Sequence, residues 1–180
     1  MTNYYLDIET TGLDPKKDKI ITIQYQKLDI DTGKAIGELV ILKEWLSSEK
    51  DVLQRFIQDT GILGNDFTFV ATGFNLGFEN KFLKERTVIN NLSEIDILNK
   101  PFIDLKAIGV LMNNGQFRGN SLNNLTGKKS NGSKIPEYYK NQEYDKIIEY
   151  IEQETIEFLK FNAWLYKRMP SLLEEFRKTL

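Results

Sequence analysis

The first strand of this chain carries two acidic side chains on one face, and that pattern constrains the fold more than any other. The stretch YYLDIETTGLDP, residues 4 to 15, begins as an apolar strand and ends in a turn. Side chains two apart on a strand share a face, so Asp7 and Glu9 project in the same direction. Neighbouring carboxylates repel each other, and a bound divalent cation is the usual way to offset that repulsion. The stretch therefore predicts a metal site at the end of the first strand.

The composition limits which other residues can take part in chemistry. The 180 residues include no cysteine and no histidine. Their absence excludes disulfides, thiolate or imidazole metal ligands, and a histidine general base. Carboxylates, tyrosine, lysine and water remain, and oxygen ligands of this kind suit hard cations such as Mg²⁺ or Mn²⁺. The length fits one domain, residues 1–180, with a core large enough to stand alone.

The pattern of apolar residues and turns predicts an α/β domain. A helix is expected after Ser47, which is suited to be its N-cap. Two later strands, FTFVATGF and the start of FIDLKAIGVLM, each lead into a helix. Three early strands joined by short turns are expected to be antiparallel neighbours: residues 4–8, 20–28 and 35–42. The predicted fold is a mixed central β-sheet flanked by helices.

The last third of the chain is predicted to be mainly one helix. It begins near Tyr144, and Pro170 is expected to end or kink it. A stripe formed by Ile147, Ile151 and Phe158 marks its buried face. The preceding segment SLNNLTGKKSNGSK reads as a short helix or turn followed by a loop.

A second acidic segment follows the fourth predicted strand. Asn75 lies at the strand-to-helix junction of FNLGFENKFL, and Glu79 lies in about the first turn of the helix. Taken alone, an acid in this place indicates only an ordinary helix start that interacts with the helix dipole. Asp104, at the end of another predicted strand, is either a further acid near the site or a helix cap.

A third acidic segment lies in the C-terminal helix. Tyr150 and Glu154 are four residues apart and therefore share one face. Tyr139 and Glu143 repeat the same spacing, so Glu143 stays an alternative to Glu154. The later pair is preferred because apolar residues around it mark a nearby buried face.

Together these segments resemble a known family. DIETTGLDP, Asn-x-x-Phe followed by an acid, and a helical Tyr-x-x-x-acid are similar to the DEDD superfamily of 3′-to-5′ exonucleases, which have a ribonuclease H-like fold. The branch with tyrosine in the third motif is the most similar. The resemblance implies hydrolysis of phosphodiester bonds at the 3′ end of single-stranded DNA or RNA, with two Mg²⁺ or Mn²⁺ ions. The choice between DNA and RNA stays open.

The resemblance also implies roles for five residues. Asp7 would bridge both ions, Glu9 and Glu154 would hold the ion that activates water, and Glu79 would serve the second ion. Tyr150 would orient the attacking water. The family usually has Asp at the positions of Glu79 and Glu154, which leaves the metal geometry and the activity open. A catalytically silent nucleic-acid-binding homologue is therefore the alternative, and a proofreading or processing subunit dependent on a partner is a third.

A further set of residues is expected to bind the substrate. The turn after the first strand would approach the terminal nucleotide, and the resemblance implies that Leu13 wedges against its base. The predicted substrate-binding residues are Thr10, Thr11, Gly12, Leu13, Asn75, Phe78, Lys128 and Lys129.

Charge and hydropathy indicate where such a protein acts. The net charge of −2 and the pI near 5.4 argue against broad affinity for polyanions, so binding would need a local basic groove. No apolar run reaches the roughly 18 residues of a membrane span, and no basic-then-apolar signal peptide opens the chain. A cytoplasmic location without a membrane partner is expected.

Overall fold

The computed structural model describes residues 2–127 and 132–180, which form a five-stranded sheet with helices on both faces. The strands are β1 (Asn3–Thr10), β2 (Ile20–Leu28), β3 (Ala35–Lys43), β4 (Val70–Gly73) and β5 (Phe102–Asp104). The helices are α1 (Glu49–Thr60), α2 (Leu76–Ile89), α3 (Leu105–Met112), α4 (Leu122–Thr126), α5 (Ile135–Lys140) and α6 (Tyr144–Arg177). Short 3₁₀ turns lie at Glu44–Leu46, Ile97–Asn99 and Gly132–Lys134.

The strand order is β3-β2-β1-β4-β5. The first three strands pair antiparallel, with Asp7 of β1 opposite Gln24 of β2. β4 and β5 run parallel to β1, with Gly73 beside Asp104. The predicted mixed α/β sheet is therefore confirmed. Because β1, β4 and β5 are parallel, their carboxyl ends lie along one edge of the sheet, where open α/β sheets bind ligands.

Alternation along β1 decides which side chains meet which helices. Tyr4, Leu6 and Ile8 are buried in a core shared with α1 and α2. Tyr5 points the other way and packs against Phe158 of α6, with the ring centroids 4.7 Å apart and the rings tilted by 34°. Asp7 and Glu9 lie two and four residues after Tyr5, so their side chains point to the same face of the sheet, which α6 covers. The strand pattern thus directs both carboxylates toward the C-terminal helix.

Some predicted boundaries differ from the structure. Ser48 rather than Ser47 is the N-cap of α1, because its hydroxyl accepts the N–H of Asp51. α5, which begins with Pro136 in its first turn, was not anticipated. Pro170 does not end α6, which continues to Arg177. Every residue from 167 onward is exposed, so water can satisfy the carbonyl that a proline leaves without a donor.

One buried ion pair ties the helices of the first face to the turn after β1. Glu49 of α1 accepts bonds from the side chain of Arg86 in α2, at 2.6 and 2.8 Å, and from the backbone N–H of Ile20. Arg86 also donates to the carbonyl of Pro15, within the turn between β1 and β2. The pair therefore fixes the segment that directly follows the acidic strand.

Among residues 2–127 and 132–180, no helix combines the length and the apolar composition that a membrane span requires.

Candidate active site

A cavity of about 310 Å³ opens at the carboxyl edge of the sheet. Five of its lining residues are the acidic and tyrosine positions singled out above, contributed by β1, α2 and α6: Asp7, Glu9, Glu79, Tyr150 and Glu154. The cavity therefore gathers side chains that are far apart in the sequence, with four carboxyl groups among them.

Asp7 lies at the centre of this group. Its Oδ2 accepts a 2.7 Å hydrogen bond from the amide of Gln24, which is fully buried on the neighbouring strand. Burial raises the pKa of Asp7 to about 7, and the charge of Glu154 contributes to the shift. Asp7 also shares a hydrogen bond with Glu79. Two carboxyl groups in such contact cannot both be ionised, so one of them holds a proton when no cation is bound.

Glu79 occupies the first turn of α2 and is only 4% exposed. Burial, and then the negative charge of Asp7, raise its pKa well above the ordinary value for a glutamate. Within residues 2–127 and 132–180, its buried Oε2 has no hydrogen-bond donor. A buried carboxyl oxygen without a donor is costly unless it is protonated or meets a cation.

Tyr150 and Glu154 face the same cavity from α6. The hydroxyl of Tyr150 donates a hydrogen bond to Glu154. Burial raises the pKa of Tyr150 far above its usual range, and the charges of Glu154 and Glu9 add to the shift. A Cβ at Gly132 would lie 2.7 Å from the tyrosine Oη, so a glycine allows this turn to reach the hydroxyl. Tyr150 is therefore a protonated hydrogen-bond donor throughout the neutral pH range.

The alternative pair of the same spacing lies away from the cavity. Glu143 precedes the first residue of α6 and forms an ion pair with Lys146 at 3.0 Å. Tyr139 belongs to α5 and donates a hydrogen bond to Glu44. Neither residue lines the cavity. Glu154 is therefore the C-terminal acid that accompanies Asp7.

The donor set can be compared with what a cation needs. All four acids offer oxygen atoms, the ligands that Mg²⁺ and Mn²⁺ prefer. The donorless oxygen of Glu79 and its contact with Asp7 mark a place where a cation could replace a shared proton. As it stands, the described part of the chain has no group of three acids arranged to hold a metal ion. The residue types fit a hard cation, which would have to draw these side chains together.

The residues predicted to bind substrate fall into three groups. Asn75 and Phe78 line the cavity. Thr10 ends β1, and Thr11, Gly12 and Leu13 form the turn that follows; none of the four lines the cavity. Thr10 donates a hydrogen bond to the carbonyl of Gly12, and Leu13 is 84% exposed. Lys128 and Lys129 lie outside the described residues.

Sequence reasoning did not anticipate Gln24 or Lys106 at the site, and it left the role of Asp104 open. Lys106 lines the cavity, whereas Gln24 and Asp104 contact residues that line it. Gln24 lies in an apolar strand and was not considered a ligand-orienting group, although its position opposite Asp7 could have indicated one. Lys106 donates a 2.7 Å hydrogen bond to the side chain of Asn75, a contact between residues 31 apart. Asp104 proves to be a cap: its carboxylate accepts the N–H groups of Asn75, Leu76 and Lys106. Only the fold brings these groups to the site.

Solved structures with a similar fold share little sequence with this chain. Escherichia coli exonuclease I in complex with a dT13 oligonucleotide has a TM-score of 0.64 and 13% identity, covering 97% of this chain and 43% of that one. A metal-free E. coli exonuclease I–ssDNA complex has a TM-score of 0.52 and 15% identity, covering 72% and 35%. An ExoI/SSB-Ct complex has a TM-score of 0.54 and 14% identity, covering 71% and 36%. The chain thus spans less than half the length of these proteins, and the likeness establishes the fold.

Sequence comparisons give a family rather than a near relative. No curated protein matches the chain. A family model described as the RNase H superfamily matches residues 4–166, which includes β1, the start of α2 and the cavity-lining part of α6. With that match and a ribonuclease H-like sheet, the chain belongs to the RNase H superfamily.

Proposed function

We propose that this chain is a single metal-dependent exonuclease domain that removes nucleotides from the 3′ end of single-stranded DNA or RNA. One observation carries the proposal: four carboxyl groups and a tyrosine from β1, α2 and α6 line one cavity at the carboxyl edge of the sheet. Their order along the chain matches the motifs of the tyrosine-type DEDD exonucleases. The likeness to exonuclease I structures solved with single-stranded DNA supports the substrate class.

The four acids would hold two Mg²⁺ or Mn²⁺ ions, and Asp7 would bridge them. When bound, such ions activate water and stabilise the charge that develops on the phosphate oxygens. The amide of Gln24 holds one oxygen of Asp7, which fixes the orientation of the carboxylate. Glu9 and Glu154 would serve one ion, and Glu79 the other.

Tyr150 would position the attacking water, either by accepting a hydrogen bond from it while the O–H donates to Glu154, or by turning the O–H from Glu154 to the water. Its raised pKa keeps the hydroxyl protonated, so it cannot act as a base near neutral pH. Its hydroxyl already bonds to Glu154, one of the proposed metal ligands, and this contact holds it at the cavity wall. Leu13, which is exposed on the turn after β1, would contact the terminal base.

The first test compares Glu154, within α6, with Glu143, which directly precedes that helix. Glu154→Gln is expected to lower the rate of mononucleotide release by about 100-fold or more, because it removes a proposed metal ligand. Glu143→Gln changes the same functional group outside the cavity and should stay within about twofold of the wild type. The substrate is a 5′-labelled single-stranded oligonucleotide with Mn²⁺. A ladder that shortens from the 3′ end would support the assignment.

The same assay, run on DNA and RNA oligonucleotides, distinguishes the proposed exonuclease from a rival function, a catalytically silent nucleic-acid-binding module. A silent nucleic-acid-binding module is favoured by one observation, that no three acids among the described residues form a ready metal centre. Such a module would bind the oligonucleotide and leave it intact at every Mg²⁺ or Mn²⁺ concentration. Equal loss of activity in the Glu143 and Glu154 variants would also count against the proposed site.

A further inference from the structure

Lys106 brings a positive charge into an otherwise acidic cavity. It is the second residue of α3, and it is the one basic side chain among the described residues that line the cavity. Its ammonium group donates a 2.7 Å hydrogen bond to the side-chain oxygen of Asn75. Within residues 2–127 and 132–180 it forms no ion pair. An amide partner orients the ammonium group without neutralising it, so the charge stays available to a ligand.

A capping network fixes the position of this lysine. The carboxylate of Asp104 accepts the N–H of Asn75 at 2.9 Å, that of Leu76 at 3.0 Å and that of Lys106 at 2.9 Å. One side chain therefore joins the start of α2 to the start of α3. Asn75 has a left-handed backbone with φ of 75°, which is uncommon for a residue other than glycine and is held here by these bonds.

The surroundings of Lys106 are polar and partly unsatisfied. Asn120 is 7% exposed and lines the cavity, and its amide donates to the carbonyl of Lys106. The Oδ1 atom of Asn120 has no hydrogen-bond partner in the described part of the chain. Ser121 and Asn123, which follow Asn120 closely in the chain, also line the cavity. This wall offers a cation and neutral polar groups, in contrast to the carboxylates contributed by β1, α2 and α6.

Stability alone does not explain a lysine in this place. The first turn of a helix carries the positive end of the helix dipole, which disfavours a cation there. Four carboxyl groups, in turn, make the cavity unfavourable for a polyanionic strand. A fixed ammonium group in the cavity wall reduces that repulsion.

We propose that Lys106, positioned by Asn75 and Asp104, binds a phosphate of the nucleic-acid strand in this cavity. The ligand named here, a nucleic-acid strand, is the substrate class of the proposed function, so this inference rests on that function. It makes Lys106 a substrate-binding residue, with Asp104 and Asn75 as positioning residues. Because contact with a phosphate does not require bond cleavage, it can be tested without catalysis.

Binding of a 5′-fluorescein hexathymidylate, followed by anisotropy in EDTA, tests the contact. Lys106→Gln is expected to weaken binding about 10-fold. It should also reduce the magnitude of the slope of log K, where K is the association constant, against log salt concentration by about 0.7, the value for one phosphate contact on a single-stranded nucleic acid. Lys106→Arg should retain most of the affinity, since guanidinium also binds phosphate. Lys81→Gln is the matched control, because Lys81 is exposed on α2 and does not line the cavity.

A second measurement identifies the phosphate. Each phosphate of the hexathymidylate is replaced in turn by a neutral methylphosphonate. One replacement should weaken the wild type but have no further effect on Lys106→Gln, since the two changes remove the same contact.

Three results would overturn the proposal: an unchanged salt slope in Lys106→Gln, an equal loss in Lys81→Gln, or no binding by the wild type. Failure of the wild type to cleave with Mg²⁺ or Mn²⁺ would instead refute the proposed function, while the binding result in EDTA would still decide the role of Lys106.

Discussion

Replacing Asp7 by Asn is expected to abolish oligonucleotide degradation and, at the same time, to stabilise the metal-free protein. The loss of activity should be about 1,000-fold or more, which corresponds to about 4 kcal/mol of transition-state stabilisation. Asp7 shares a hydrogen bond with Glu79 and feels the charge of Glu154, and in the proposed function it is the carboxylate that would hold both ions. An asparagine keeps one oxygen for the amide of Gln24 but cannot supply the bridging charge.

The gain in stability follows from the direction of the pKa shift. Burial and Glu154 raise the pKa of Asp7 from an ordinary value of 3.8 to about 7. The folded state therefore prefers the protonated form, and its stability falls as the pH rises from about 4 to 7. At pH 8 the cost is at most about 4 kcal/mol. Asn removes this cost, so we expect a melting temperature higher by about 3 to 10 °C at pH 8 in EDTA, and a smaller gain at pH 5.

The control for this prediction is Asp31→Asn, which changes an exposed carboxyl group in the turn between β2 and β3. It should alter neither activity nor melting temperature. Added Mn²⁺ should stabilise the wild type but not Asp7→Asn, since ligand binding to the folded state raises apparent stability. A lower melting temperature of Asp7→Asn in EDTA at pH 8 would contradict the proposed charge crowding.

Replacing Arg86 by Met is expected to destabilise the fold by about 3 to 5 kcal/mol, because it leaves a buried carboxylate without its cation. The side chains of Arg86 and Glu49 are 12% and 9% exposed, and two hydrogen bonds join them. Glu49 also accepts the N–H of Ile20 at the start of β2. Urea unfolding at pH 7 measures the loss as a lower midpoint with an unchanged slope.

An exposed pair of the same type provides the comparison. Arg55 and Asp59 form an ion pair on α1 with side chains 68% and 39% exposed. Arg55→Met should cost less than about 1 kcal/mol, as is usual for surface ion pairs. The double variant of Arg86→Met with Glu49→Gln should recover part of the loss, because it removes the stranded charge. Equal costs for Arg55→Met and Arg86→Met would show that burial of the Glu49 pair has no energetic role.

Local sequence pattern predicted much of the fold. The bounds of β2 agree with the structure at 20–28, and the expected apolar stripe of α6, formed by Ile147, Ile151 and Phe158, is buried. These features depend on residues that are neighbours along the chain, so periodicity and turn signals specify them. Errors of local detail, such as Ser47 for Ser48, arise because two adjacent serines are equally suited to cap a helix.

Sequence reasoning preferred the pair Tyr150 and Glu154 on the apolar residues around it, but spacing alone left Tyr139 and Glu143 as an alternative. Tyr150 with Glu154 and Tyr139 with Glu143 have the same spacing, and helical geometry treats them alike. They differ in what they face: the first pair lines the cavity, whereas Tyr139 contacts Glu44 and Glu143 contacts Lys146. A residue's neighbours across the fold depend on the orientation of the whole helix against the sheet, which spacing along the chain does not encode.

The sequence by itself determined that Asp7 and Glu9 share one face of the first strand, because alternation along a strand is a property of the backbone. Only the tertiary structure decided what meets them there. Gln24 reaches Asp7 through antiparallel pairing, Glu154 through the packing of α6, and Lys106 enters the same cavity because the parallel strands β4 and β5 end side by side. Such contacts join residues 17 or more positions apart, and chain topology rather than local preference brings them together.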